Sequence, residues 1–93
     1  MKSLDTLELE TIRWAEARCI IPNAKAHVQL MKTGSELGEL MDAEIKGDIP
    51  EIVDGVGDVL VTLAIYCDLR GLTLRQCWNA AFDEIKNRKG TTP

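Results

Sequence analysis

Four carboxylates stand at spacings that can grip a cation. Glu36 and Glu39 are three residues apart, so on a helix their side chains leave the same face. Asp54 and Asp58 are four apart and share a face in the same way. All four belong to a denser run: between Glu36 and Asp58 lie eight of the chain's fifteen acids, with Lys46 the only base. Such a run is either a solvated helix face or a site for cations. Four carboxylates in one cleft repel unless a counter-ion joins them, and oxygen-only donors suit Mg²⁺, Mn²⁺ or Ca²⁺. Apolar Leu37, Leu40, Val56 and Val59 stand beside these acids, and Gly38, Gly55 and Gly57 flank them. A plain surface helix would carry Ala, Lys or Glu there.

The other ligand types point away from transition-metal and covalent chemistry. His27 is the only histidine, and Cys19, Cys67 and Cys77 are far apart with no C-x-x-C pair. A structural zinc site takes four Cys or His ligands at characteristic spacing. The patterns of zinc metalloproteases, di-iron bundles and EF-hand loops are missing too. So is the Ser–His or Cys–His arrangement that a covalent intermediate would need. The cysteines read as free, mostly buried thiols of a reducing compartment, and His27 as a partly exposed helix residue.

Helices must position the acids. Leu4, Leu7, Thr11, Ala15 and Cys19 recur at steps of three and four, with Ile12 and Trp14 beside them, predicting a first helix over 4–19. Pro22 disfavours helical geometry at Ile21 and ends it, and Asn23 is placed to cap the next. A second helix over 24–46 carries an apolar stripe of Leu30, Gly34, Leu37, Met41 and Ile45. Beside it runs a polar stripe of Gln29, Lys32, Glu36 and Glu39. Gly34 and Gly38 each cost about 1 kcal/mol relative to Ala inside a helix, which suggests close approach of another helix or a ligand, with loose packing as the alternative.

Gly47 stops that helix. Asp48-Ile49-Pro50-Glu51 opens a third, with Asp48 at the N-cap, Pro50 in the first turn and Glu51 at the third position. It runs to residue 69, closed by Arg70 and Gly71, with Val53, Val56, Leu60, Leu63 and Cys67 on its core side. The short connection at Gly47 makes the second and third helices antiparallel neighbours, with the two acid pairs facing across the seam. Thr73-Leu74-Arg75-Gln76 is a capping box for a fourth helix whose inward edge is Leu74, Trp78, Ala81, Ile85 and Arg88, with Cys77 and Phe82 adjoining. Gly90 stops it, and 91–93 form a frayed tail. From Val59 to Cys67 the third helix is apolar nearly all round, and a helix apolar on every face must be buried on every face. The expectation is an all-α four-helix bundle, obligately oligomeric, as a dimer or a tetramer (a dimer of dimers).

Composition fits one domain over 1–93. A chain of 93 residues buries only about 60–65% of its unfolded surface, so it is marginal alone. A hydrophobic content of 45% argues against disorder, and a net charge of -4 argues against a polynucleotide partner. No apolar run is long enough to span a membrane, and the first residues do not open a signal peptide. The expected setting is the cytoplasm, of a host cell if the chain is phage-encoded.

Lys32-Thr33-Gly34-Ser35-Glu36-Leu37-Gly38-Glu39-Leu40, followed by Asp54-Gly55-Val56-Gly57-Asp58-Val59-Leu60, resembles the MazG-like all-α nucleoside triphosphate pyrophosphohydrolases. The closing segment 81–90 is similar to the end of the short, phage-type members. The likeness covers nearly the whole chain. It implies Mg²⁺ (with Mn²⁺ as a substitute) held by an E-x-x-E pair and a later E-x-x-D pair. The implied activity is hydrolysis of a (d)NTP between its α- and β-phosphates to a monophosphate and pyrophosphate, shaping the deoxynucleotide pool. By position it gives metal roles to Glu36, Glu39 and Asp58. Glu36 or Glu39 is also expected to orient the attacking water. The chain departs from the pattern at Ser35, where many members have a further Glu, and at Gly55, which takes the Glu position of the later pair. Asp54 is the natural substitute, with Glu51 the alternative. The metal motifs leave the base open among dUTP, dCTP, dGTP and damaged nucleotides.

Several residues could serve the substrate. Lys32, one turn from Glu36, and Lys86, clustered with Arg88 and Lys89, are candidate phosphate contacts, although basic residues at a helix end also suit its dipole. Asn79, Asp83 and Lys86 share a stripe that could line a pocket. Trp14 and Trp78 could stack on a base, with buried packing as their alternative, and Gln29 could contact sugar or base. Two other functions compete: a non-catalytic helical oligomer acting as a small regulatory or adaptor protein, and a cation-binding bundle without hydrolysis.

Overall fold

A computed structural model of the chain describes residues 1–88. Lys89, the stop at Gly90 and the tail over 91–93 lie outside the described residues. The expected all-α class holds: among the described residues there are five helices and no strand. They are α1 (Leu4–Ala17), α2 (Ile20–Asn23), α3 (Ala26–Lys46), α4 (Ile49–Leu69) and α5 (Leu74–Ile85). No helix among them is long and apolar enough to cross a membrane.

Local chemistry sets most of the boundaries. The Ser3 hydroxyl accepts from the Thr6 N–H at 3.1 Å and starts α1. Asp48 Oδ1 accepts from the Glu51 N–H at 3.2 Å, and Thr73 Oγ1 from the Gln76 N–H at 3.0 Å, so both expected caps form. Gly47, at φ 69°, turns the chain from α3 into α4 in the left-handed conformation that glycine tolerates best.

The first connection departs from expectation. The break falls at Arg18 and Cys19, and Cys19 itself takes φ 57°. The next four residues then make the single turn α2. Pro22 is its third residue, where a backbone N–H would have had no intrahelical partner to lose. Asn23 does not cap the following helix. Its amide Nδ2 donates back to the Cys19 carbonyl at 2.8 Å, and Lys25 stands at the N-cap of α3 without a side-chain bond. The fourth expected helix ends at Ile85, short of the expected stop, with Lys86 as its C-cap.

Burial is the larger correction. The α3–α4 hairpin is the most extensively packed pair, yet its seam is not the apolar stripe. On α3 the covered edge is Gln29, Thr33, Glu36, Leu40 and Ala43, while Leu30, Leu37, Met41 and Ile45 are exposed, Ile45 at 84%. On α4 the buried residues are Gly55, Ala64, Ile65 and Cys67, while Val53, Val56 and Leu60 are exposed. Size explains the choice: Ala43 and Gly55 let the two helices approach closely, leaving the large side chains to the outside. A Cβ on Gly55 would stand 3.1 Å from Leu40 Cδ1, whereas one on Gly34 or Gly38 would meet nothing within 4 Å. The close approach expected at Gly34 and Gly38 is therefore not made within one chain.

Helix α1 packs across the far half of α4, with Ile12 and Ala15 against Ile65 and with Ile20, Ile21 and Leu69 closing round them. Polar ties hold α5 to α1. Glu8 Oε2 accepts from the Leu74 N–H at 2.8 Å, and Arg75 pairs with Asp5 at 2.9 Å. Helix α5 buries none of its residues, and Trp14 and Trp78 are both exposed rather than packed. Of the cysteines only Cys67 is buried. Its thiol is pushed up to about 11 by burial first and by neighbouring Cys77 second. The radius of gyration is 14.8 Å, against about 12 Å for a compact chain of this length.

Candidate functional site

The hairpin places the acids by rotation. Leu40 and Gly55 meet at the seam, and Glu39 and Asp54 each stand one residue earlier, about 100° round their helices. In an antiparallel pair the same rotation carries both side chains to the same side. Asp58, one turn after Asp54, follows it. A cavity of about 460 Å³ opens on that side, lined by Glu39, Asp42 and Lys46 from α3 and by Glu51, Asp54 and Asp58 from α4. Ala43 and Gly55 form its floor.

Charge is concentrated here. The carboxyl of Glu36 is raised above its ordinary value of 4.5, first by its hydrogen bond with Glu39, then by desolvation and by the charges of Glu39, Asp58 and Asp54. Asp58 is raised above 3.8, first by desolvation and then by Asp54 and Glu39. The two expected pairs therefore lie within each other's field across the seam. Among the described residues, however, no three Asp, Glu, His or Cys side chains are gathered closely enough to hold an ion as they stand. In donor chemistry the group fits Mg²⁺ or Mn²⁺: it is all oxygen, and mutual repulsion is what a divalent cation relieves.

Asp54 and Glu51 differ in their surroundings. Asp54 acts on both Glu36 and Asp58, whereas the Glu51 carboxylate lies 3.9 Å from Lys46 Nζ and its N–H is held by Asp48. Gly55 is buried against Leu40 and could not carry a longer side chain without moving α3.

None of the candidate substrate residues lines this cavity. Lys32 is exposed on α3, and Asn79 on α5. Lys86 donates to Asp83 at 3.1 Å just beyond α5. Trp14 stands under the Arg18 guanidinium, 4.9 Å from the ring centre. Gln29 is 3% exposed, and its Nε2 donates to the Thr62 carbonyl at 3.0 Å, a tie between α3 and α4. Gln29→Ala is thus expected to cost about 1–3 kcal/mol in chemical denaturation and to leave any nucleotide KM unchanged. A raised KM at wild-type stability would instead put Gln29 in contact with substrate.

Lys46 and Asp42 line the cavity without having been singled out from the sequence. The signal was present: they follow Glu39 by seven and three residues, which keeps them on its face. A larger cavity of about 690 Å³ lies between α1, α4 and α5, but its walls are mainly apolar and its one cation, Arg75, is paired with Asp5. No known protein family, curated protein or solved structure matches the chain.

Proposed function

We propose that the chain is a Mg²⁺-dependent nucleoside triphosphate pyrophosphohydrolase, a MazG-like bundle assembled from two or four chains in the cytoplasm. The observation that supports this reading best is the proximity of Glu36, Glu39, Asp54 and Asp58 on consecutive helices: the last three line one cavity, and Glu36, which does not line it, is near enough for their charges to act on it. An acidic cleft cannot take a nucleoside triphosphate bare. Mg²⁺ held by these four carboxylates would supply the opposite charge and polarise the phosphate oxygens. Glu36 or Glu39 orients a water toward the α-phosphorus and accepts its proton. The new bond joins the water oxygen to the α-phosphorus. The bond to the α–β bridging oxygen breaks, and pyrophosphate leaves with that oxygen. Among the described residues lining the cavity Lys46 is the one base, and it would turn from Glu51, 3.9 Å away, to meet the phosphates.

A second reading, the non-catalytic helical oligomer, is favoured by the lack of a ready three-ligand group among the described residues. A panel of ribo- and deoxynucleoside triphosphates with Mg²⁺ separates the two. Pyrophosphate and a monophosphate are the expected products. Orthophosphate alone would sink the α–β cleavage, and no product from any nucleotide would leave the non-catalytic oligomer.

A further inference from the structure

We propose that Cys67 and Cys77 form a redox-responsive dithiol, which closes to a disulfide within one chain on meeting a low-molecular-weight disulfide and so fastens α5 to α4. This inference stands apart from the reaction assigned to the acid cleft. The turn between the two helices sets the pair. Cys67 is the third residue from the end of α4, and Cys77 is the fourth residue of α5. The Leu72 N–H donates to the Cys67 carbonyl at 2.8 Å, and the Cys77 N–H donates to the Thr73 carbonyl at 3.2 Å. The connection thus folds back tightly, with each cysteine one hydrogen bond from it. Cys67 follows Leu63 and Ala64 by four and three residues, which keeps it on the face of α4 that walls the apolar cavity. Cys77 lines that cavity from α5. Glu8 marks the same place from α1. It lines the cavity, accepts from the Leu74 N–H at 2.8 Å, and its charge reaches Cys67, on which Cys77 acts by charge and by hydrogen bonding.

Exposure divides the work between the two thiols. Cys67 is 4% exposed, and its thiol, pushed up to about 11, keeps its proton at neutral pH. Cys77 is exposed, so the first attack falls to it. The Cys77 thiolate attacks one sulfur of the small disulfide, forms a mixed disulfide and expels one thiolate. Cys67 then gives up its proton, attacks the Cys77 sulfur and expels the second thiolate. Two protein thiols are oxidised to one disulfide, and the small disulfide is reduced to two thiols, which take up the two protons. Disulfides in a reducing compartment are transient and serve redox sensing. This one has a helix to act on: α5 buries none of its residues and is tied to α1 by the Glu8 bond and the exposed Arg75–Asp5 pair. A bridge from Cys67 to Cys77 holds the first turn of α5 against the end of α4.

The chain carries its own control. Cys19 is exposed as well, but of the other two cysteines only Cys77 acts on Cys67. The three cysteines fall in separate tryptic peptides, 19–25, 47–70 and 76–86. Reduced protein is equilibrated in a glutathione buffer, quenched with acid, alkylated and mapped by mass spectrometry. Peptides 47–70 and 76–86 are expected to be joined in species of single-chain mass, with Cys19 carrying at most a glutathione adduct. The ratio of bridged to open chains should be about tenfold or more higher in native protein than in urea, because the fold and not chain length holds the thiols together. Trypsin cleavage after Arg75 in native protein should slow about tenfold on closure and recover with a dithiol reductant. Cys77→Ser should leave the buried Cys67 without a glutathione adduct. A bridge between chains or through Cys19, a native ratio no higher than in urea, an unchanged rate of cleavage after Arg75, or ready modification of Cys67 in folded Cys77→Ser each overturns the proposal. The wild-type measurements stand by themselves if that variant fails to fold.

Discussion

Glu39→Gln is expected to lower pyrophosphate release by about 10²–10⁴-fold while making the metal-free protein harder to melt at neutral pH. The two effects have one origin. Glu39 is the first cause of the raised Glu36 carboxyl, by hydrogen bond and then by charge, and it also acts on Asp58. A carboxyl whose pKa is raised on folding holds its proton more tightly in the folded chain than in the unfolded one. Its contribution to stability is fully present below the ordinary values of 3.8 and 4.5, and is lost as pH rises through the raised ones. Above that window the wild-type cleft carries uncompensated repulsion, and Gln at position 39 removes part of it. Thermal melts in chelator should therefore give a variant more stable than wild type at pH 7, with the gap closing toward pH 4. Adding Mg²⁺ should raise the wild-type melting temperature more than that of the variant. A variant less stable than wild type at both pH values would mean that Glu39 is an ordinary structural residue and the acids a solvated face.

How much of this was legible in the sequence depends on the kind of signal. The caps at Asp48 and Thr73 and the turn at Gly47 were readable because each is decided within four residues by a side chain or a permitted φ. The nearness of the two acid pairs was readable for the same reason: spacings of three and four fix a shared face, and the two-residue connection Gly47-Asp48 fixes the neighbour. What the sequence misplaced is the core. Periodicity shows that Leu30, Leu37 and Met41 share a face, but not what that face meets. The seam is chosen by how near two backbones can come: Gly55 lies against Leu40, and the small Ala43 is buried on the same helix as Leu40. Gln29 misled in a related way. Its polar type suggested a ligand contact, whereas its amide answers a carbonyl on the opposite helix. The link from Glu8 to the first turn of α5 joins positions too far apart in the chain for any local pattern to reveal.

Gly55→Glu is expected to destabilise the fold and to add no working ligand, although it writes into the chain the Glu that the resembling motif carries three residues before Asp58. The position is buried, and its Cβ would stand 3.1 Å from Leu40 Cδ1, 3.3 Å from Leu40 Cβ and 3.4 Å from Leu40 Cα. The Leu40 side chain must give by a few tenths of an ångström to admit the Cβ alone, and the rest of a glutamate presses further into the seam. Overpacking of this kind costs about 1–3 kcal/mol, and a carboxylate in the seam adds a desolvation cost. Against a total of about 5–14 kcal/mol for a chain of this length, and at about 4–8 °C per kcal/mol, the loss should be plain in a thermal melt at fixed protein concentration. Gly57→Ala is the control. It adds a Cβ to the same helix where nothing lies within 4 Å, so helix propensity alone should hold or raise stability by about 0.5–1 kcal/mol. The functional half of the test combines Gly55→Glu with Asp54→Asn. Asp54 reaches the cleft from one residue earlier, where its charge already acts on Asp58 and Glu36, and a seam residue cannot replace it. The double variant should stay inactive. Recovery of turnover there would show that α3 and α4 can separate enough to admit a glutamate, and that Gly55 does not exclude the motif's usual ligand.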